Sequence, residues 1–181
     1  MACQLPTVIA DGLGDWSLNV NSSKTEWLHI SASTTEWRRS KQLGSLLGEE
    51  EDLSRRMDQA STSYGRMYSL WIRRQLVSEE TRLRLYNAIV LPTLLYNCET
   101  WGLTEAALEK LNAFHRRQLR NLFGIRYPAI ISNKDLYSRA HTQPLSHTVA
   151  VRRFRMLGHV LRMPSDAPPQ QAMDNYFRRD V

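Results

Sequence analysis

Cysteine is nearly missing from this chain. Cys3 and Cys98 are all it has, too few for a disulfide framework or a thiolate zinc site. That usage fits a reducing compartment, so the chain is expected to be intracellular, nuclear or cytoplasmic. No apolar run approaches the roughly 18 residues of a membrane span, and no membrane partner is expected. Met1–Ala10 has neither a basic leader nor a convincing apolar stretch for a signal peptide. Catalytic signatures are also lacking. There is no G-x-S-x-G and no P-loop, and Gly12-Leu13-Gly14 is too short to cradle a phosphate. The five histidines are scattered, and His141 and His147 are separated by Pro144, which suits no shared ion. No cofactor is expected in this chain.

Acid is scarce in one half only. Residues 110–162 contain eleven bases and a single acid, Asp135, whereas residues 1–37 contain one base, Lys24, against Asp11, Asp15, Glu26 and Glu36. Lysine is scarce too: four of the 24 basic residues are lysine and 20 are arginine, in a chain of net charge +6. Arginine forks match phosphates and base edges better than lysine does. Solvated faces ordinarily mix both signs, so a one-sign region of this size points to a polyanionic partner. The competing reading is a solvated helix face whose charges only compensate helix dipoles.

Two periodicities divide the chain near residue 48. Thr25-Glu26-Trp27-Leu28-His29-Ile30 alternates as a half-buried strand does, and Lys24 sits where a polar turn enters it. Ser31–Ser40 reads as a loop or bridge, and 41–47 as a second short strand. Then Leu53, Met57, Ala60, Tyr64, Met67 and Trp71 mark one helical stripe, with acids in its first turn and Arg73 and Arg74 near its end. Ser78 is expected to cap a second helix that kinks or breaks at Pro92. Thr104 and Gly124 bracket a third, carrying Arg116, Arg117 and Arg120 on its polar side. Ser132 and Asp135 open a short fourth helix. Ser146 is expected to cap a fifth, with Val151, Phe154, Leu157 and Leu161 inward, Arg152, Arg153, Arg155 and Arg162 outward, and Pro164 as its stop. Residues 164–181 read as a flexible tail. The expected fold is therefore α+β, mainly α, with a small β-hairpin followed by a helical bundle.

Five blocks, in order, resemble one family. "LNVNSSKTEW" (18–27) resembles the segment after the catalytic centre of reverse transcriptases from LINE-type, non-LTR retrotransposons, which runs near L-x-V/I-N-x-x-K-T-E. "KQLGSLLG" (41–48) resembles the K-Y-L-G turn of the primer grip. "RLRLYNAIVLPTLLYNCETWGLT" (82–104) resembles the thumb segment LY-x-A-x-V-x-P-x-x-x-Y-G-x-E-T-W. "LEKLNAFHRRQLRNLFGI" (108–125) resembles the helix after it, and "RRFRMLGHVLRMP" (152–164) the ending R-L-x-W-L-G-H-V-x-R-M. Together they span about residues 16–164. Gln42, Asn97 and Met156 stand where the family carries an aromatic, glycine and tryptophan.

The resemblance implies a palm edge (1–47), a helical thumb (48–125), a basic C-terminal extension (126–163) and a tail (164–181). It implies a C-terminal part of an RNA-directed DNA polymerase whose fingers and main palm lie upstream. In the family, an aromatic-Ala-Asp-Asp pair holds magnesium for nucleotidyl transfer. Ile9-Ala10-Asp11-Gly12 lacks the second aspartate and lies too close to the next block, so magnesium belongs to the parent enzyme and this chain alone is not expected to catalyse. The position of Lys24 lies near the incoming nucleotide in the family, where a lysine offsets triphosphate charge or protonates leaving pyrophosphate. The implied partner is an RNA/DNA template-primer duplex. The candidate contacts are Lys24, Lys41, Arg73, Arg74, Arg116, Arg117, Arg120, Arg152, Arg153, Arg155 and Arg162. The alternatives are a basic helical scaffold that binds protein, or a decayed element without function.

Overall fold

The structure is a computed structural model that describes residues 33–73 and 75–178, together with Asn19 and Asn21. The expected strand at 25–30, Lys24 and Arg74 lie outside the described residues. Within them the chain is mainly helical with one two-stranded antiparallel hairpin, the α+β, mainly α architecture expected.

The hairpin is tighter than the alternation implied. Residues 41–47 do not form one strand; they fold back on themselves as β1 (Lys41–Gln42) and β2 (Ser45–Leu46), with Gln42 opposite Ser45. Leu43 and Gly44 between them both take positive φ, 46° and 86°, the geometry of a two-residue type I′ turn. Glycine adopts this conformation freely, whereas leucine is strained in it. Just before β1, residues Glu36–Arg39 form a 3-10 turn within the stretch expected to be a loop.

Helix α1 (Glu49–Arg66) starts with Glu49, Glu50, Glu51 and Asp52 in its first turn, where the helix dipole stabilises carboxylates. Its stripe is as expected: Leu53 and Ala60 are buried, and Met57 and Tyr64 pack against the core. The stripe continues to Trp71, but the helix does not. It breaks at Met67 and resumes as α2 (Tyr68–Ile72). The Trp71 indole N–H donates to the Tyr64 carbonyl at 2.7 Å, and the two rings stack with centroids 4.8 Å apart. The same carbonyl accepts the Met67 N–H at 3.1 Å, so it joins the end of α1 to the side chain of the next helix.

Ser78 caps α3 (Glu79–Leu85), its hydroxyl accepting the Thr81 N–H at 3.2 Å. The irregularity expected at Pro92 lies earlier. Tyr86–Val90 widens into a π-turn, and Pro92 falls in the first turn of α4 (Leu91–Leu94). A proline there forfeits no intrahelical hydrogen bond, and the wide turn absorbs the mismatch upstream.

Helix α5 (Glu105–Phe123) is capped by Thr104, which accepts the Ala107 N–H at 3.3 Å, and is closed by Gly124 at φ 72°. It is the central helix of the core. Leu111, Phe114, Leu119, Leu122 and Phe123 are buried with Tyr86, Val90, Leu94, Leu95 and Trp101. Each such side chain contributes roughly 1.5–3 kcal/mol of burial free energy. Ser132 caps α6 (Asn133–Arg139) through the Asp135 N–H at 3.1 Å.

Two expectations for the next helix are corrected. Helix α7 (Leu145–Leu161) begins one residue before Ser146, which does not cap it with its own side chain. Instead Asn112 on α5 supplies the cap: its Oδ1 accepts the Ser146 N–H at 3.0 Å and its Nδ2 donates to the Ser146 hydroxyl at 3.1 Å. The inward stripe is also rotated. Leu145 and Val149 are buried, whereas Phe154, Leu157 and Leu161 are exposed and Val151 is half-buried. The same row continues to the half-buried Arg152, which bonds the Leu95 carbonyl and Cys98 Sγ and lies beside Glu99, so it ends in polar contacts rather than apolar ones. The helix ends before Pro164, as expected. Residues 164–181, read as a tail, contain helix α8 (Pro168–Arg178), which opens on two prolines in the helix-starting positions.

Candidate nucleic-acid interface

The hairpin turn is held from several sides. Its Gly44 carbonyl accepts Arg55 at 2.5 Å and Arg56 at 2.6 Å, both from α1. Tyr96 donates its hydroxyl to the Leu43 carbonyl at 3.2 Å, and its ring lies 4.4 Å from the Arg56 guanidinium. Asn97 donates to the Ser45 hydroxyl at 3.1 Å. Asp52, fully buried, joins these parts. One oxygen accepts the Leu46 N–H at 2.9 Å and Arg55 at 3.3 Å; the other accepts the Trp101 indole N–H at 3.2 Å, with Arg56 Nε 3.6 Å away. The result is an exposed Leu43 at the apex of a rigid turn, with Lys41 exposed on β1. Sequence reasoning assigned Asp52 only to the helix dipole. The Asp-x-x-Arg-Arg spacing, which places both guanidinia one turn along from the carboxylate, was the available signal.

Asn97 takes φ 60° at the start of the Cys98–Thr100 turn. A position that carries glycine in the sequence pattern noted above thus has the left-handed conformation that glycine and asparagine tolerate best. Replacing Asn97 by alanine is expected to cost about 1–2 kcal/mol, and replacing it by glycine clearly less. Urea titration of both variants checks this, and equal losses would show that the backbone conformation is not the reason.

The candidate arginines divide into engaged and open groups. Arg116 is engaged, bonded to Glu109 at 2.5 Å; this hydrogen bond holds the Glu109 carboxyl below its ordinary pKa and raises that of Arg116. Arg120 donates to Asn133 at 2.7 Å, tying α5 to α6. Arg152 reaches the Leu95 carbonyl at 3.2 Å and lies 3.6 Å from Glu99, fastening α7 to the turn below it. These three are structural before they are available to a ligand. Arg117, Arg153, Arg155 and Arg162 are exposed, and among the described residues none has a carboxylate partner within 4.0 Å. Arg117 rests over the Phe114 ring at 5.5 Å. Arg73 is exposed at the end of α2.

Two further arginines stabilise the scaffold. Arg139 grips Glu79 with two hydrogen bonds of 2.8 and 2.6 Å, which lower the Glu79 pKa. Arg82 is buried and donates to the Leu122 carbonyl. Among the described residues no cluster of three His, Cys, Asp or Glu could hold a metal, and no helix is long and apolar enough to cross a membrane. Comparisons with family models, curated proteins and solved structures give no match.

Proposed function

We propose that this chain binds a nucleic-acid duplex as the palm edge, thumb and C-terminal extension of a LINE-type reverse transcriptase. It does not catalyse alone, because the magnesium-binding carboxylates of such an enzyme would have to come from outside these 181 residues. The observation that carries binding is the open set of cations: Arg117, Arg153, Arg155 and Arg162 stand exposed without a carboxylate partner among the described residues. A field left uncompensated at this density attracts phosphate. Two backbone features support the family reading. The Leu43–Gly44 turn and the left-handed Asn97 fall where its pattern has Leu-Gly and Gly.

The engaged and open groups make the reading testable. Each phosphate contact adds about 0.9 to the log–log salt slope on B-form DNA, and a hybrid is expected to be similar. Replacing Arg117, Arg155 and Arg162 together by glutamine is therefore expected to flatten the slope for a primed RNA/DNA hybrid by about two to three. Base preference is expected to stay unchanged, because phosphate contacts carry little sequence information. Replacing Arg116, Arg120 and Arg152 instead is expected to lower stability more than slope. An unchanged slope in the first variant, with the fold intact, would reduce this surface to a solvated face.

A further inference from the structure

Helix α7 exposes an aromatic beside unpaired cations. Phe154 is 71% exposed, and the neighbouring helix α8 exposes Tyr176 and Phe177 at 68% and 63%, their rings 5.5 Å apart edge to face. These are the most exposed apolar side chains of residues 145–177. Aliphatic Leu157 and Val160 sit lower, in a groove of about 490 Å³ whose far wall is Pro169 and Met173 of α8. Arg153 also lines it, and Glu99 at its edge lies 3.6 Å from Arg152.

Charge identifies the occupant. Arg155 and Arg162 lie seven residues apart, two turns along one row, and Phe154 stands between that row and Arg153. The Arg162 guanidinium lies over Gly158, with Nη1 3.2 Å from where a Cβ would stand. Helix α7 contains no acid; the first acids after it, Asp166 and Asp174, are in the link and on α8. A second copy of this chain would bring like charges together, which opposes self-association. An unpaired strand matches both features, since its phosphates meet the guanidinia and its bases have faces to stack on exposed rings.

We propose that this face binds single-stranded nucleic acid, with Phe154 as a stacking platform and Arg155 and Arg162 on the phosphates. The inference rests on the nucleic-acid reading above and adds that α7 and α8 also hold an unpaired segment, which meets Arg155 and Arg162 as duplex phosphates do and stacks on Phe154 as paired bases cannot. The probe is a fluorescent oligodeoxythymidylate of about 15 nucleotides, titrated against the full chain beside a hybrid duplex. Phe154→Ala is expected to weaken oligothymidylate binding roughly tenfold and leave duplex affinity unchanged. Phe154→Leu, which keeps apolar bulk without a stacking ring, is expected to weaken it as well, and Phe154→Trp to retain it. Phe154 is too exposed for these changes to threaten the fold. Equal oligothymidylate affinity for wild type and Phe154→Ala overturns the inference. Duplex binding without oligothymidylate binding overturns it alone, whereas binding of neither overturns both readings. Failure to bind the oligonucleotide, together with concentration-dependent self-association that Phe154→Ala abolishes, would assign the face to a protein partner and overturn it as well.

Discussion

Replacing Asp52 by alanine is expected to remove about 3–5 kcal/mol of stability. The carboxylate is fully buried and faces Arg55, Arg56, the Leu46 N–H and the Trp101 indole. Truncation leaves a guanidinium, that of Arg56, in a site where its side chain is 8% exposed, and leaves the Trp101 donor without its acceptor. Neither can be rehydrated without opening the joint between hairpin and helix. In a chain of this size the melting temperature is expected to fall by roughly 6–20 °C. Asp52→Asn keeps the shape and one acceptor oxygen and is expected to fall between. Urea unfolding of the three proteins measures the effect. A loss below about 1 kcal/mol for alanine would mean that water already reaches the carboxylate. The variant is also expected to loosen the Leu43–Gly44 turn, which the same network holds.

Acidification is expected to weaken the fold through His115 by about 3 kcal/mol between pH 6.5 and 4. His115 is fully buried on α5, shares a 2.8 Å hydrogen bond with the Tyr86 hydroxyl through Nδ1, and stacks between Tyr86 and Tyr137. Burial, with a smaller push from nearby Arg116, lowers its pKa from 6.5 to about 4. Burial also raises the Tyr86 pKa, so the phenol stays protonated. The native protein therefore holds a neutral imidazole. Below pH 6.5 the unfolded chain takes up a proton that the native state refuses until about pH 4. The stabilisation is complete above 6.5 and is lost as pH falls through that window. At about 1.4 kcal/mol per pH unit the gap amounts to about 3 kcal/mol. His115→Phe keeps a stacking ring without a titrating group. The difference in urea stability between wild type and this variant, followed from pH 7 to 4, is expected to slope in the stated direction. Parallel curves would show that His115 protonates without unfolding the chain.

Local physics made much of this protein legible before its structure. Ser78, Thr104 and Ser132 accept helix N–H groups within three residues of themselves, and Gly124 closes α5 because glycine accepts positive φ. The α1 stripe repeats with the helical period over short distances and was equally readable. The one-sign charge of residues 110–162 is a property of the sequence whatever the fold. The sequence by itself therefore determined the principal helices of residues 49–161, the caps that lie within three residues of the groups they bind, and the basic character of the C-terminal half.

Tertiary structure decided which side of each element matters. Asp52 meets Trp101 across 49 residues, Arg152 meets Leu95 across 57, and Asn112 caps α7 across 34. No pattern within one helix encodes such partners. The rotation of α7 shows the consequence: hydropathy placed Phe154, Leu157 and Leu161 inward, whereas in the fold Arg152 takes the inner row, half-buried beside the acceptors around Cys98, and the aromatic faces outward. The same long-range pairing sorted arginines of equal appearance into Arg116, Arg120 and Arg152, which hold the fold, and Arg117, Arg155 and Arg162, which face solvent. Charge is written residue by residue. Whether a charge is spent internally depends on groups brought near only when the chain has folded.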